Sequence, residues 1–361
     1  MPTSRLLFRY AAAAVAVGEF IAASASGQTV SPTWTPYRNE SVRELPEPPS
    51  APASNSPGPT PAAAQYAQYL AESPLETEIT AVDLADPRCR LVGVADSPML
   101  VMPIDYDSNP ANWQWRLLPA DVIWSSYWAG AHEPRIGAAW YSERTTGASL
   151  LDATLGGRAS LVRYGTEGGG RRPNGWELQV EGAAIPRLNF NENWDLEATD
   201  FRIGAPLVYG RDNWQWKLSY YHLSSHMGDE FAIREGALAQ RINFSRDALA
   251  TAIAFYPLPA WRWYAEAAWA FHYDGGSEPW EFQFGVDVAE PGPTGPAGTP
   301  FIAVNGHLRE EHNFGGNVVA QAGWLWRGPQ MKVLRIGAHY YNGKSSQFEF
   351  FDRFEHQIGG G

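Results

Sequence analysis

From Pro134 onward, apolar and polar residues alternate at every second position of the chain. In "AWRWYAEAAWAF", Trp261 and Trp263 share one face of an extended strand, whereas Arg262 and Glu266 share the other. The same alternation recurs in "DFRIGAPLVYG", "EFQFGVDV" and "KVLRIGAHYY". A period of two is that of a β-strand, whose successive side chains point to opposite faces of the sheet. Roughly twelve such segments, separated by Gly, Asn, Asp and Pro turns, predict an all-β antiparallel fold.

The two faces of these strands favour a transmembrane β-barrel over a secreted soluble β-domain, which is the alternative. The segments are close to the ~10 residues that cross a bilayer at a tilt. Charged residues such as Glu266, Asp287 and Arg335 stand in mid-strand, opposite the faces that carry Trp and Phe. The chain has 16 Trp, 16 Tyr and 16 Phe, and many of them gather near strand ends, as interfacial girdles do. We therefore expect an apolar band outside and a polar lumen inside.

The N-terminus has the pattern of a secretory signal peptide over residues 1–25. Arg5 and Arg9 form a basic region, an Ala/Val-rich run follows, and small residues precede a cleavage site near Ala25. Glu19 interrupts the apolar run, which leaves a short membrane anchor as the alternative. We predict export to the bacterial outer membrane.

Composition divides the rest of the chain. Residues 26–65 are rich in Pro, Ser and Ala and predict a disordered linker. We assign residues 66–130 to a small periplasmic extension and residues 131–361 to the barrel. A single cysteine, Cys89, excludes an intramolecular disulfide framework. A net charge of −12 argues against nucleic acid as a partner.

One polar stretch, "YHLSSHMGDEF", follows the strand pattern of "NWQWKL". Continued alternation puts His222 and Ser224 on the lipid-facing row with Trp214, and turns Ser225 inward. Two residues along a strand span ~7 Å. Two interpretations stay open: a polar rim in the headgroup region, or a catalytic pair whose substrate is lipid. A zinc site is disfavoured, because His222 and His226 would lie ~13 Å apart on a strand.

The His-x-Ser sequence of this stretch resembles outer-membrane phospholipase A and lipid A deacylase, although the phospholipase's following Asn-Gly is replaced by Ser225-His226. The resemblance implies that His222 is the base and Ser224 the nucleophile, and that an Asn or Glu nearby orients the histidine. Asn243 is the first choice, because strand parity carries it outward beside His222. The alternatives in the preceding loop are Asp229, Glu230 and Glu235.

The phospholipase resemblance also implies calcium as a cofactor. Asp229 and Glu230 are the candidate ligands, and the alternative for "GDE" is a solvated turn. As partners we expect outer-membrane lipids and no nucleic acid, and we leave a homodimer open.

A longer resemblance covers "LPADVIWSSYWAGAHEPRIG", "YHLSSHMGDEF" and "RINFSRD". Together these segments resemble the domain of unknown function 1207 family of exported bacterial proteins, over about Leu117 to Gly359. The family implies an outer-membrane barrel and no established activity.

Two other function classes remain. The first is a barrel without chemistry, either a narrow pore or an envelope structural protein. Its lumen would contain Arg262, Glu266, Asp287, Arg335 and His339. The second is a soluble secreted binding domain.

Overall fold

The structure is a computed structural model, and it describes residues 110–168 and 172–361. The predicted signal peptide, the linker, Cys89 and the extension up to residue 109 lie outside the described residues.

The described residues form a single antiparallel sheet that closes on itself. Its strands are β1 (Gln114–Leu117), β2 (Ile136–Glu143), β3 (Ser149–Gly165), β4 (Gly175–Asn189), β5 (Asp195–Arg211), β6 (Trp214–Met227), β7 (Ser245–Leu258), β8 (Trp261–Asp274), β9 (Trp280–Ala289), β10 (Thr299–Arg309), β11 (Gly315–Arg327), β12 (Val333–Lys344) and β13 (Phe354–Gly360). Each of β2 to β13 pairs with its neighbours in sequence, and β13 pairs back onto β2. This closed barrel of twelve strands confirms the predicted fold class.

Helical structure is confined to the connections. One short α-helix, α1 (Asp229–Arg234), lies between β6 and β7. Single 3-10 turns occupy Pro110–Asn112, Phe190–Glu192, Leu238–Gln240, Glu310–His312 and Phe348–Phe350. Among the described residues, none of these helices has the length and apolar character needed to cross a membrane.

The barrel wall is apolar outside and polar inside, as the alternation predicts. On β8, the outward Trp263 and Trp269 are 54% and 44% exposed, whereas the inward Arg262 and Glu266 are buried. Buried charges pair with one another on the inner face of the wall, between strands that are adjacent or nearly adjacent, instead of meeting water. The pairs include Arg163–Glu177, Arg187–Asp152, Arg202–Glu181, Lys217–Glu266, Arg246–Glu281 and Arg262–Asp287.

Residues 118–135, which we call the lumen segment, start at the exposed Leu118 and then enter the interior of the barrel. They connect β1 to β2. These two strands pair with different parts of one edge of β3: β1 with residues 162–165 and β2 with residues 149–155. Trp124 and Tyr127 of this segment are fully buried. The Tyr127 ring stacks on Tyr264 at 3.8 Å, and its hydroxyl donates to Glu266 Oε2 at 2.8 Å. The predicted extension, residues 66–130, overlaps these parts of the barrel: β1 belongs to the sheet, and Trp124 and Tyr127 are buried in the interior.

The barrel has two distinct ends. We call the end at which β1 starts the N-terminal end, and the other the α1 end, because residues 228–244 with α1 lie there. β6 is the fifth of the twelve barrel strands and runs towards the α1 end. Its last residues therefore lie beneath residues 228–244, the longest connection between two of the twelve barrel strands.

Candidate functional site

His222 and Ser224 both lie on the outer face of β6, near the α1 end. Their neighbours Leu223 and Ser225 are buried inside, with exposures of 1% and 0%, while His222 and Ser224 are half-buried. The strand keeps its pleat through "HLSS", so the parity set by Trp214 and Leu218 continues to the end of the strand.

The polar partner of His222 is Asp247, on the adjacent strand β7. These two residues stand directly opposite each other in the β6–β7 pairing. His222 Nδ1 lies 2.9 Å from Asp247 Oδ1, and the Tyr220 hydroxyl donates to the same oxygen at 2.7 Å. His272 Nδ1 on β8 lies 3.5 Å from Asp247 Oδ2. We call Tyr220, His222, Asp247 and His272 the outer polar cluster.

Asn243, predicted to orient the histidine, occupies a different place. It is exposed and precedes β7, beyond the Ser224–Ser245 pair that ends the β6–β7 ladder. The hydrogen-bond partner of His222 Nδ1 is Asp247 instead of Asn243. Odd-numbered residues of β7 face outward, and this rule, which predicted Asn243 as the orienting residue, also applies to Asp247. Asp247 was not named among the predicted orienting residues, although the same signal was available.

The other orienting candidates have different partners. Asp229 forms an ion pair with Arg241, and Glu235 forms one with Arg234, which also pairs with Asp195. Glu230 is exposed in the first turn of α1.

His272 joins the cluster because of an irregularity in β8. Strict alternation from Trp269 would turn it inward. The β7–β8 register shifts between Asp247 and Ala248, which pair with His272 and Ala270 and leave Phe271 as an extra residue. A bulge of this kind reverses the parity of the residues beyond it. The sequence contains no signal that fixes the position of this bulge.

The histidine is positioned for proton transfer on its second nitrogen. A carboxylate at Nδ1 favours the tautomer with a proton on Nδ1, which leaves a lone pair on Nε2. Ser224 is one pleat away on the same face. In the described part of the chain, no hydrogen bond joins Ser224 to His222, and catalytic hydrogen bonds are often long until a substrate is bound.

The adjacent serine has a structural role. Ser225 Oγ donates to Asp200 and accepts a hydrogen bond from the Glu349 backbone N–H at 2.8 Å. Asp200 also lies 2.7 Å from His132 Nε2 of the lumen segment. Ser225 thus connects β5, the lumen segment and the β12–β13 connection, so it is unavailable to a lipid outside the wall.

The predicted calcium ligands do not come together with a third group. Asp229 is 80% exposed at its side chain and is held by Arg241. Among residues 110–168 and 172–361, no group of three or more His, Cys, Asp or Glu side chains is arranged to hold a metal ion. Calcium binding at Asp229 and Glu230 therefore stays a prediction from the resemblance alone.

The connections at the α1 end contain two carboxyl groups whose pKa values are raised by burial, Glu349 and Glu311. Burial raises the pKa of Glu349, in the β12–β13 connection, to about 7, and Asp200 adds to the effect. Burial likewise raises the pKa of Glu311, in the β10–β11 connection, to about 7, against the attraction of Arg309. Both carboxyl groups lie away from the outer polar cluster.

Comparisons with known proteins relate the chain to a protein family and to a solved structure. The chain is similar to the structure titled outer membrane phospholipase A from Escherichia coli, with 11% sequence identity, a TM-score of 0.39, and coverage of 62% of this chain and 87% of that chain. A search of curated proteins found no match. The family model described as "Protein of unknown function (DUF1207)" matches residues 116–359. The match includes the lumen segment and all twelve strands of the closed barrel, and the chain therefore belongs to the DUF1207 family.

Proposed function

We propose that this protein is an outer-membrane β-barrel that hydrolyses acyl esters of membrane lipids, with Ser224 as nucleophile, His222 as base and Asp247 as the positioning residue. The observation that carries the proposal is the 2.9 Å contact between His222 and Asp247, one pleat from a serine on the outer wall. A carboxylate and an imidazole in a lipid-facing row cost free energy. Their presence there therefore favours a functional role.

The outer surface supports a membrane location. Large apolar side chains encircle the wall, among them Trp140, Leu155, Phe201, Trp214, Leu249, Trp263, Trp280, Trp324 and Ile336, each more than 40% exposed. Soluble monomers rarely expose contiguous apolar patches beyond about 300–600 Å². Hydrocarbon would cover this belt, and the predicted signal peptide would deliver the chain across the inner membrane.

The site suits ester cleavage at the edge of the hydrocarbon. His222 Nε2 would take the Ser224 proton as Oγ attacks the ester carbonyl, forming a tetrahedral oxyanion. Collapse of that intermediate breaks the bond to the alcohol oxygen, which receives the proton from His222. Water, deprotonated by the same nitrogen, then releases the acyl group as a fatty acid and restores Ser224. Asp247 would stabilise the charged imidazolium during both steps.

A barrel without chemistry is the second candidate, and the filled lumen favours it over a pore. The lumen segment and the pair between Lys217 Nζ and Glu266 Oε2, 2.6 Å apart, occupy the middle of the barrel. Such an interior suits a rigid envelope component. The outer polar cluster would then be a polar rim at headgroup level.

Hydrolysis by the purified full-length chain in mixed micelles decides between the two candidates. With calcium present, the wild-type protein should release fatty acid from a phospholipid or another acylated lipid, and Ser224→Ala should abolish the release. Ser245→Ala is the matched control, because Ser245 is the half-buried residue paired directly with Ser224 on the same wall. Ser225→Ala is a poor control, since Ser225 is buried in structural hydrogen bonds.

Repeating the assay with a chelator tests the calcium prediction separately. Equal fatty-acid release by wild-type and Ser224→Ala protein, across several lipid classes, would leave the passive barrel as the better interpretation.

A further inference from the structure

The β12–β13 connection, residues 345–353, folds into the α1 end of the barrel, and we call it the end strap. Gln347 and Phe348 in this strap are buried, with exposures of 0% and 2%. The Phe348 ring stacks on the Phe244 ring with 4.7 Å between their centres, and it lies 4.6 Å from the ring of His132 in the lumen segment. The end strap therefore packs against the lumen segment and forms part of the barrel interior.

Two backbone N–H groups hold the middle of the end strap to inward side chains of the wall. Phe348 N donates to Asp200 Oδ2 at 3.2 Å. Glu349 N donates to Ser225 Oγ at 2.8 Å. Ser225 in turn donates to Asp200 Oδ1, and His132 Nε2 lies 2.7 Å from Asp200 Oδ2. One buried carboxylate therefore joins the end strap to β5, β6 and the lumen segment.

The side chain of Glu349 is poorly satisfied in this closed arrangement. Glu349 is 6% exposed, and its Oε1 accepts a hydrogen bond from the Ile242 backbone N–H at 3.0 Å. Its Oε2 is buried and has no hydrogen-bond partner among the described residues. A buried carboxylate without partners for its oxygens costs much more free energy than a neutral carboxyl group does. The closed strap therefore favours a protonated Glu349.

Charged groups from both sides act on Glu349. Arg241 in the β6–β7 connection and Arg353 in the strap attract its carboxylate, whereas Asp200 on β5 repels it. Burial is the largest effect, and with Asp200 it outweighs the two arginines and raises the pKa of Glu349 to about 7. In an open strap water would solvate the carboxylate, so its pKa would return to the ordinary value of 4.5.

Other titratable groups also lie beside the end strap. His132 pairs with Asp200. Arg309 on β10 lies 3.5 Å from Glu311 and donates to Ser345 O at 3.2 Å. Because burial also raises the pKa of Glu311 to about 7, an experiment has to separate Glu311 from Glu349. Further titratable groups near the strap are Arg187 on β4, Glu197 on β5, His312 in the β10–β11 connection and Glu355 on β13.

The difference between the two pKa values of Glu349 links closure of the end strap to pH. Below pH 4.5 the carboxyl group is protonated in both states, and the closed strap has its full stability. Between pH 4.5 and about 7 only the open state loses its proton, so the closed state weakens about tenfold per pH unit. Above pH 7 both states are ionised, and closure no longer gains from the proton.

We propose that the end strap is a pH-controlled cover of the lumen at the α1 end, closed while Glu349 holds its proton and released when Glu349 is ionised. Release would admit water to the polar cavity of about 20 Å³ that Phe348 shares with His132, Arg202 and His307. The device is separate from the outer polar cluster and does not depend on the proposed hydrolysis.

Hydrogen exchange of the full-length chain in detergent micelles, read by mass spectrometry from pH 5 to pH 8, tests the proposal. Observed rates are divided by the intrinsic rates at each pH, which removes the direct effect of pH on exchange. Protection of residues 346–351 in wild type, divided by that in Glu349→Gln, should fall at least about tenfold from pH 5 to pH 8. Residues 211–214, at the β5–β6 turn of the N-terminal end, should show no such change.

Asp352→Asn is the matched control, because Asp352 is an exposed acid in the same strap and its variant should keep the wild-type pH dependence. Arg241→Gln removes a charge that lowers the pKa of Glu349, so it should move the loss of protection to higher pH. Arg241 is exposed, and its variant keeps the test valid if Glu349→Gln does not fold.

Equal pH dependence of strap protection in wild type and Glu349→Gln would overturn the proposal. A loss of that pH dependence in Glu311→Gln would also overturn it, because Glu311 would then be the group that controls the strap. So would an Arg241→Gln protein that loses protection at the wild-type pH or below, since the charge around Glu349 would then have no influence on closure.

Discussion

Lys217→Met should destabilise the barrel strongly, because it leaves a carboxylate buried without its cation. Lys217 and Glu266 have side-chain exposures of 1% and 6%, and Nζ lies 2.6 Å from Oε2. Removing one partner of such a pair costs about 3–5 kcal/mol of unfolding free energy. Tyr127 still donates to Glu266 at 2.8 Å, so we expect a loss of about 3 kcal/mol, at the lower end of that range.

The reverse change should cost less. In Glu266→Gln the amide oxygen can still accept from Lys217, whose ammonium lies 5.1 Å from the Trp124 ring and 5.3 Å from the Tyr127 ring. We expect a loss of about 2 kcal/mol. The double variant, Lys217→Met with Glu266→Gln, leaves no unpaired charge at this position and should lose only about 2 kcal/mol of unfolding free energy. Because the two single losses would add up to about 5 kcal/mol, the coupling energy of the pair is about 3 kcal/mol.

Urea unfolding in detergent micelles, followed by tryptophan fluorescence, measures the four proteins of this cycle. Two-state behaviour is checked by agreement with a second probe such as circular dichroism. Ser219→Ala is the control on the same inward face, because among the described residues the Ser219 hydroxyl bonds only to the neighbouring carbonyl of Tyr220, and this bond should contribute about 1 kcal/mol or less. If the single losses add up to the double loss within about 0.5 kcal/mol, the reasoning about a buried, coupled pair is refuted.

Two further predictions concern the outer polar cluster and the α1 end. Asp247→Asn should keep the hydrogen bond to His222 but remove the charge that stabilises imidazolium, lowering kcat by about 100-fold or more. Tyr220→Phe leaves that charge in place and should change kcat less, and equal rates for Asp247→Asn and wild type would contradict the assigned role. Burial raises the pKa of Glu349 from 4.5 to about 7, so its stabilising contribution is complete below pH 4.5 and is lost as the pH rises through 7. Glu349→Gln should therefore gain stability relative to wild type between pH 5 and pH 8, as measured by urea midpoints, and a difference independent of pH would argue against a protonated Glu349 in the fold.

The sequence by itself determined the strand faces and the class of fold. Successive side chains of a strand point alternately to the outside of the barrel and into the lumen. Polarity must therefore alternate along each strand wherever the wall is regular. This is why the outward position of Trp263 and the inward position of Glu266 could be predicted without a structure. The same local rule placed His222 and Ser224 outside and Ser225 inside, and it would also have placed Asp247 outside.

Tertiary structure decided the features that depend on partners far away in sequence. The lumen segment has no strand period, because its side chains are fixed by contacts such as Tyr127 with Glu266, 139 residues away. The bulge that turns His272 outward depends on how β7 and β8 pair, and a single strand does not contain that information. Local alternation reports which side a residue faces, whereas register, closure and lumen packing are set by long-range pairing that no local pattern encodes.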